Sequence, residues 1–146
     1  MAIRLYQACT LMNGKTKFTY EQYWNERISR PKDNEVREKT TNEIFDTASS
    51  ALKRGDRILD AGCGNGYFSL YIKDKFRKIY GAEIAKEAAN IAQKQGTVLS
   101  IMDLNLSLSY KDSTFDAVAC LEVLEHSLDP VYLLDEIYRI FGLMDN

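Results

Sequence analysis

Asp60 and three alternate glycines form the segment of this sequence that is best suited to hold a nucleoside cofactor. The acid ends an apolar run, and Gly62, Gly64 and Gly66 follow it. Because glycine has no Cβ, the backbone here can turn sharply and approach a ligand closely. A dinucleotide fingerprint has its third glycine three residues after the second, whereas Gly66 follows Gly64 by two. The spacing disfavours a nicotinamide cofactor, and it leaves open a tight strand-to-helix turn of any α/β protein.

Three further acidic residues each come directly after an apolar run. The runs and their acids are 79–82 with Glu83, 98–102 with Asp103 and 115–121 with Glu122. Ligands of open α/β sheets bind outside the carboxyl ends of the strands, so we expect these acids at one cleft together with Asp60. By the same logic Glu83, 23 residues after Asp60, is placed to accept hydrogen bonds from two ribose hydroxyls.

Helical patterns separate the apolar runs. The residues predicted to face the sheet are Phe68, Ile72 and Phe76 in one helix, Ala88, Ile91 and Ala92 in the next, which ends at Gly96, and Leu133, Leu134, Ile137 and Ile140 in a last helix that begins at Asp129 and Pro130. Alternating strands and helices imply right-handed crossovers and a parallel sheet. We therefore predict an α/β fold: a doubly wound parallel sheet in three αβα layers, with strand order 3-2-1-4.

The chain is predicted to be one compact domain in which residues 1–55 form an N-terminal arm with lid helices and residues 56–146 form the sheet-bearing part. The arm contains two predicted helices, 19–29 and 33–52; Asp33 is the predicted cap of the second, and Gly55 is predicted to end it before the first strand. The first helix carries an aromatic cluster of Tyr20, Tyr23 and Trp24. This cluster is either a lid over a substrate or a face that packs on the rest of the domain.

The segment 58–66, Ile-Leu-Asp-Ala-Gly-Cys-Gly-Asn-Gly, resembles the first motif of the class I S-adenosylmethionine-dependent methyltransferases. The segment 122–130, Glu-Val-Leu-Glu-His-Ser-Leu-Asp-Pro, is similar to the fourth-strand segment of the small-molecule, quinone-biosynthesis-like members. The resemblance runs from residue 56 to about 141, with four segments in the family's order. It implies a Rossmann-like domain with S-adenosyl-L-methionine as cofactor and S-adenosyl-L-homocysteine as product.

The resemblance also implies roles for particular residues. Glu83 matches the acid that binds the ribose, Asp103 the acid that meets the adenine amino group, and Asp60 suits the ammonium group of the methionine end. The implied cofactor-binding residues are Asp60, Gly62, Cys63, Gly64, Asn65, Gly66, Glu83, Ile84, Asp103, Leu104, Leu121 and Glu122. The aromatic cluster of the arm would be the substrate lid, because N-terminal helices of the family close over the cofactor.

The function implied is methyl transfer to a small-molecule acceptor. His126 is the sole histidine and a candidate base if the acceptor must lose a proton; alternatively it bonds the loop or caps the next helix. Two other functions remain open. The chain is either a cofactor-binding but catalytically incomplete module, or, against the glycine spacing, an NAD-dependent oxidoreductase.

The family's sheet ordinarily has seven strands, and this sequence supplies four before residue 146, so we expect a C-terminally truncated sheet. The strand over 115–121 would then be an edge strand, and its one charged residue is Asp116. Unpaired strand edges recruit other chains. We therefore expect this edge to be covered by a second copy, by the segment after Phe141 or by the N-terminal arm.

Composition limits the partners. Of the residues, 45% are hydrophobic and 27% charged, with a net charge of -2, and no basic stripe with interleaved aromatics indicates nucleic-acid binding. The sequence has neither a long apolar window nor a signal-peptide pattern, so we expect a cytoplasmic protein that does not bind membranes. Three well-separated cysteines predict neither disulfides nor a metal site.

Overall fold

The protein is described by a computed structural model that covers residues 34–142. The predicted helix 19–29, the aromatic cluster of the arm and the predicted cap Asp33 lie outside the described residues. The elements are α1 (Asn34–Ala51), β1 (Gly55–Ala61), α2 (Tyr67–Tyr71), β2 (Phe76–Glu83), α3 (Lys86–Lys94), β3 (Val98–Ile101), β4 (Ala117–Ala119), a 3₁₀ turn (Leu124–His126) and α4 (Pro130–Phe141).

The four strands form one parallel sheet in the order β3-β2-β1-β4, which confirms the predicted order 3-2-1-4. In the register, Asp60 lies beside Gly81 of β2 and Ala119 of β4, and Glu83 lies beside Ile101. The carboxyl ends of the strands therefore meet at one edge, as a parallel sheet requires.

The core lies on both faces of the sheet. Ile58 and Leu59 are adjacent in β1 and fully buried, yet they belong to two different clusters because successive strand residues point to opposite faces. One cluster contains Leu59, Ala61, Ala82, Leu108, Phe115 and Ile140, and the other contains Ile58, Phe68, Ile72, Phe76 and Ala119. Burial on both faces explains why the consecutive residues Ile58 and Leu59 of β1 are both apolar, and it confirms the three-layer arrangement.

Two predicted helix features differ from the structure. The helix after the glycines ends at Tyr71, and Phe76 is the first residue of β2. Phe76 nevertheless packs in the same cluster as Phe68 and Ile72, so its spacing reflects a shared face of the sheet and not a shared helix. Gly55 likewise begins β1 instead of ending the preceding helix.

α4 and β4 follow the sequence predictions to different extents. Asp129 caps α4 by accepting a hydrogen bond from the Tyr132 N–H at 3.0 Å, with Pro130 in the first turn. Within the predicted apolar stripe, Leu133 and Ile140 are buried but Leu134 is 37% exposed. The strand predicted over 115–121 is shorter than expected, since pairing with β1 covers only Ala117–Ala119.

The connection from β3 to β4 contains no helix, and Arg139 of α4 holds it in place. The guanidinium donates to the carbonyls of Tyr110 and Leu108 at 2.7 and 2.9 Å and to the Asp112 carboxylate at 2.8 Å. It also donates to Glu136, which in turn accepts from the Leu108 N–H at 2.7 Å. Arg139 is the main reason that the pKa of Glu136 is lowered to about 2.

We expect Arg139→Met to lower the free energy of unfolding by about 2–4 kcal/mol, because two backbone carbonyls and two carboxylates lose a charged donor. The measurement is urea denaturation followed by circular dichroism. Arg77→Met is the matched control: Arg77 is 74% exposed in its ion pair with Asp56, and such surface pairs contribute up to about 1 kcal/mol. Equal effects of the two variants would contradict the role given to Arg139.

Candidate functional site

The loop after β1 is tied to β2 by backbone hydrogen bonds. The N–H groups of Gly62 and Cys63 both donate to the carbonyl of Ala82, at 2.8 and 3.2 Å, and the Gly66 N–H closes a turn on the Cys63 carbonyl at 2.8 Å. These bonds fix the loop directly above the ends of the two central strands. A ligand bound there meets a preformed backbone surface.

Gly64 and Gly66 lack a Cβ for different reasons, although both adopt positive φ, 53° and 80°. A Cβ on Gly66 would lie 2.7 Å from the Cβ of Ala92, so this glycine lets α3 pack against the loop. A Cβ on Gly64 would meet nothing within 4 Å. Of the two, Gly64 is therefore the glycine that leaves room for a ligand.

Glu83 is the polar centre of the site. One of its carboxylate oxygens accepts from the Gly64 N–H at 2.8 Å, and the other accepts from the N–H groups of Ile84 and Ala85 at 2.8 and 2.9 Å. The side chain thereby joins the loop after β1 to the start of α3. Burial raises the pKa of Glu83, and the three backbone donors oppose that rise.

Asp60 lies at the end of β1 and is 3% exposed. Its carboxylate accepts a hydrogen bond from the hydroxyl of Ser69 at 2.7 Å. Burial raises the pKa of Asp60 to about 6, the hydrogen bond from Ser69 lowers it, and the negative charge of Glu83 raises it further. Two buried carboxylates in one site favour a ligand with positive charge.

A cavity of about 270 Å³ opens beside Asp60. Its lining consists of Thr41, Ile44, Phe45, Asp60, Gly62, Cys63, Gly64, Asn65, Tyr67, Phe68, Leu121 and Glu122. Seven of these residues belong to the predicted cofactor set, which the structure brings together at one place. Sequence reasoning did not assign five lining residues to the site: Thr41, Ile44, Phe45, Tyr67 and Phe68. The signal available was the apolar character of Ile44 and Phe45 within the predicted helix 33–52.

Contacts with α2 hold α1 in place as a wall of this cavity. The ring of Phe45 packs against Phe68 and Tyr71, with centroid separations of 5.1 and 5.7 Å. The Tyr71 hydroxyl donates to Asp46, and the Lys75 ammonium donates to the carbonyl at the end of α1, on Leu52, at 3.2 Å. An apolar helix face is thus anchored over the loop.

The segment after β4 forms the opposite side of the cavity. Glu122 has φ 57°, which is uncommon for a residue with a side chain. Val123 follows and packs where a Cβ on Gly62 would lie, so Gly62 is needed to admit Val123. The turn at Glu122 and the missing Cβ at Gly62 together bring the two loops into contact.

Several predicted residues lie outside the cavity lining: Gly66, Glu83, Ile84, Asp103, Leu104 and His126. Asp103 orders its own loop by accepting from the backbone and side-chain N–H groups of Asn105, both at 2.9 Å, and Asn105 accepts from the Leu128 N–H at 2.8 Å. The His126 ring lies 3.9 Å from the Glu125 carboxylate, with its side chain 14% exposed.

Within residues 34–142, no group of three or more His, Cys, Asp and Glu side chains is arranged to hold a metal ion. No helix in that part of the chain combines the length and the apolar character that a membrane span needs.

Residues 59–141, more than half of the chain, match the family described as the methyltransferase domain. The chain belongs to this family. A similar curated protein is a ubiquinone biosynthesis O-methyltransferase of Xylella fastidiosa, which is 32% identical over 90 residues; the match covers 56% of this chain and 35% of that protein. The chain therefore spans about a third of the length of such methyltransferase relatives.

Solved structures with the methyltransferase-domain fold are similar to this chain. The [4+2]-cyclase SpnF is 28% identical, with a TM-score of 0.61 over 68% of this chain and 40% of that one. Magnesium protoporphyrin IX methyltransferase of Synechocystis, solved with bound S-adenosylmethionine, has a TM-score of 0.62 at 22% identity over 85% of this chain and 71% of that one. The second likeness concerns the fold alone.

S-adenosyl-L-methionine is the cofactor of this methyltransferase family, and the residues present fit it. Asp60 and Glu83 provide negative charge for a cationic ligand, and Gly64 faces open space. Asn65 lines the cavity with a buried amide oxygen that has no hydrogen-bond partner among the described residues. Such an oxygen is a ready acceptor for a ligand donor.

The contrast between the two glycines can be tested by stability. Gly64→Ala should lower the free energy of unfolding by about 1–2 kcal/mol, the cost of positive φ alone. Gly66→Ala should lower it by about 1–3 kcal/mol more, because its Cβ also meets Ala92. Urea denaturation of both variants measures the difference, and a larger loss at Gly64 would refute the assignment.

Proposed function

We propose that this domain binds S-adenosyl-L-methionine at the carboxyl ends of β1 and β2 and transfers its methyl group to a small-molecule acceptor. The observation that carries the proposal is the position of Glu83. Its carboxylate is fixed on the Gly64 N–H at 2.8 Å, within the loop that borders the cavity beside Asp60. The family match over residues 59–141 supports the same function.

Each polar residue of the site has a part in this proposal. Asp60 binds the ammonium group of the methionine end, Glu83 accepts from the ribose hydroxyls, and Asp103 accepts from the adenine amino group. The Glu83 oxygen that accepts from the Gly64 N–H has a further lone pair for a ribose hydroxyl, whereas the other oxygen already accepts from two backbone N–H groups. When bound, the cofactor supplies an activated methyl group on a sulfonium, so the protein mainly has to orient the reactants and exclude water.

The acceptor is proposed to be a phenol of the kind from which quinones are made. This class follows from the names of the O-methyltransferase relatives, and the apolar side chains Ile44, Phe45 and Phe68 in the cavity lining suit an aromatic ring. His126 is proposed as the base that takes the phenol proton, with Glu125 stabilising the resulting imidazolium. The aromatic cluster Tyr20, Tyr23 and Trp24 is proposed as the lid. A cytoplasmic location is part of this proposal.

A second candidate is a cofactor-binding module that does not transfer methyl groups by itself. SpnF, named as a cyclase, is 28% identical with a TM-score of 0.61, so this fold is not confined to methyl transfer. Incubation with S-adenosylmethionine and a catechol separates the candidates: the methyltransferase forms a methylated phenol, whereas the module binds the cofactor without turnover.

S-adenosylhomocysteine should raise the melting temperature of the chain, because ligand at about 100 times its dissociation constant adds about 2.7 kcal/mol of stability. Gly64→Val should abolish this shift by filling the open space at the loop. Glu83→Ala should weaken binding at least tenfold, at about 1.5–3 kcal/mol for each charged hydrogen bond lost. Calorimetry gives the dissociation constants.

Glu87→Ala is the matched control for Glu83, since it removes an exposed acid from the first turn of α3. It should leave the affinity for S-adenosylhomocysteine unchanged. NAD serves as the second ligand. A thermal shift with NAD and none with millimolar S-adenosylhomocysteine would favour the oxidoreductase and reject the proposal.

We infer further that the chain self-associates along β4. Among the described residues, β4 pairs with β1 on one side only. The charge of Asp116 does not oppose pairing at the free edge, because its carboxylate accepts hydrogen bonds from the N–H groups of Asp56 and Arg57 at 2.6 and 2.8 Å. The edge thus lacks a charge that opposes pairing.

Light scattering at about 100 μM protein should give at least twice the chain mass, and dilution should reduce it by mass action. Hydrogen exchange at the amides of residues 117–121 should slow as the concentration rises, because pairing protects them. A monomer at every concentration, with exchange rates that do not change, would rule out association along β4.

A further inference from the structure

Ser69 is a buried polar residue to which the functions considered so far give no role. It lies in the first turn of α2 and is 2% exposed. Burial of a hydroxyl is costly unless it forms a hydrogen bond, and alanine would be the better helix former at this position. A serine here therefore calls for a specific partner, and the partner in the structure is Asp60, at 2.7 Å.

The surroundings of Asp60 make this hydrogen bond important. The charged neighbour from β2 is Glu83, and the titratable neighbours are Cys63 in the loop and Cys120 after β4. Burial raises the pKa of Cys120 to about 11 and also raises that of Cys63, so both thiols stay neutral near pH 6. Burial and Glu83 both disfavour the charged form of Asp60, whereas the Ser69 hydroxyl favours it.

We propose that Ser69 is a positioning residue for cofactor binding: its hydroxyl holds the Asp60 carboxylate ionised and oriented to recognise the cofactor's ammonium group. The inference rests on the proposed function. The hydroxyl donates to one carboxylate oxygen, which fixes the rotation of the group and leaves lone pairs on the other oxygen for the ligand. Ser69 itself does not line the cavity.

The pH dependence follows from the sign of the Asp60 shift. The pKa of Asp60 in the folded protein is about 6, so the carboxyl is largely protonated below that pH. A protonated carboxyl cannot form an ion pair with an ammonium group. Affinity for S-adenosylhomocysteine should therefore rise as the pH increases through about 6, and loss of the Ser69 hydroxyl should move this rise to higher pH.

The test is the dissociation constant of S-adenosylhomocysteine from about pH 5 to about pH 8 for the whole chain and its variants. Ser69→Ala should bind about tenfold more weakly at pH 7, with the midpoint of the pH profile shifted upward. Ser69→Thr keeps a hydroxyl and should restore most of the affinity and the midpoint. Asp60→Asn should bind weakly with no midpoint near pH 6.

A second measurement needs no variant and so does not depend on how Ser69→Ala folds. Calorimetry of the wild-type chain near pH 6, in buffers of different ionisation enthalpy, should show that S-adenosylhomocysteine binding releases a proton from Asp60. Absence of proton release, or a Ser69→Ala profile identical to wild type, would overturn the role of Ser69 while the proposed function stands. If wild type bound no S-adenosylhomocysteine at any pH, the proposed function would fail and this inference with it.

Discussion

The site depends on one interaction, the hydrogen bonding of the buried Glu83 carboxylate to three backbone N–H groups. One of them, on Gly64, belongs to the loop after β1, and the other two precede α3. Without Glu83, these donors at two chain turns would lose their acceptor in a buried place, where each unpaired group costs about 1–3 kcal/mol. The same donors make the burial of a carboxylate tolerable. The conformation of the loop therefore depends on Glu83, and the burial of the Glu83 carboxylate depends on the loop.

This arrangement concentrates negative charge where the protein can least solvate it. Asp60 lies in the same site, and its pKa is raised to about 6 mainly by burial and further by the negative charge of Glu83. Because the pKa of Asp60 is higher in the folded protein than in the unfolded chain, the unliganded fold loses stability as the pH rises from about 4 to about 6. A cationic ligand relieves that cost when it binds. The charge that weakens the free protein is thus the charge that favours the proposed cofactor, and perturbed pKa values of this kind cluster at functional sites.

The sheet order and the row of acids could be predicted from the sequence because both depend on local patterns: an apolar run, an acid, then a helix. The helix end at Tyr71 could not, since Phe76 shares a face with Phe68 without sharing a helix. The different roles of Gly64 and Gly66 could not be predicted from the sequence either. Both glycines have positive φ, and they differ only in that Ala92, 26 residues beyond Gly66, packs against the second. Sequence spacing indicates where glycine is needed and cannot indicate what it makes room for.

The two sides of the site differ in how far apart in the sequence the interacting residues lie. On the cofactor side, Glu83 and Asp103 are fixed mainly by N–H groups one or two residues away, so this geometry is specified within a few residues of each strand. On the cavity side, Phe45 reaches the site through contacts with Phe68 and Tyr71, more than twenty residues along the chain. A substitution in α1 can therefore reshape the cavity without disturbing the backbone that surrounds Glu83. Under the proposed function, this separation lets one cofactor platform serve acceptors of different shapes, and it assigns acceptor specificity to α1, which local sequence patterns describe least.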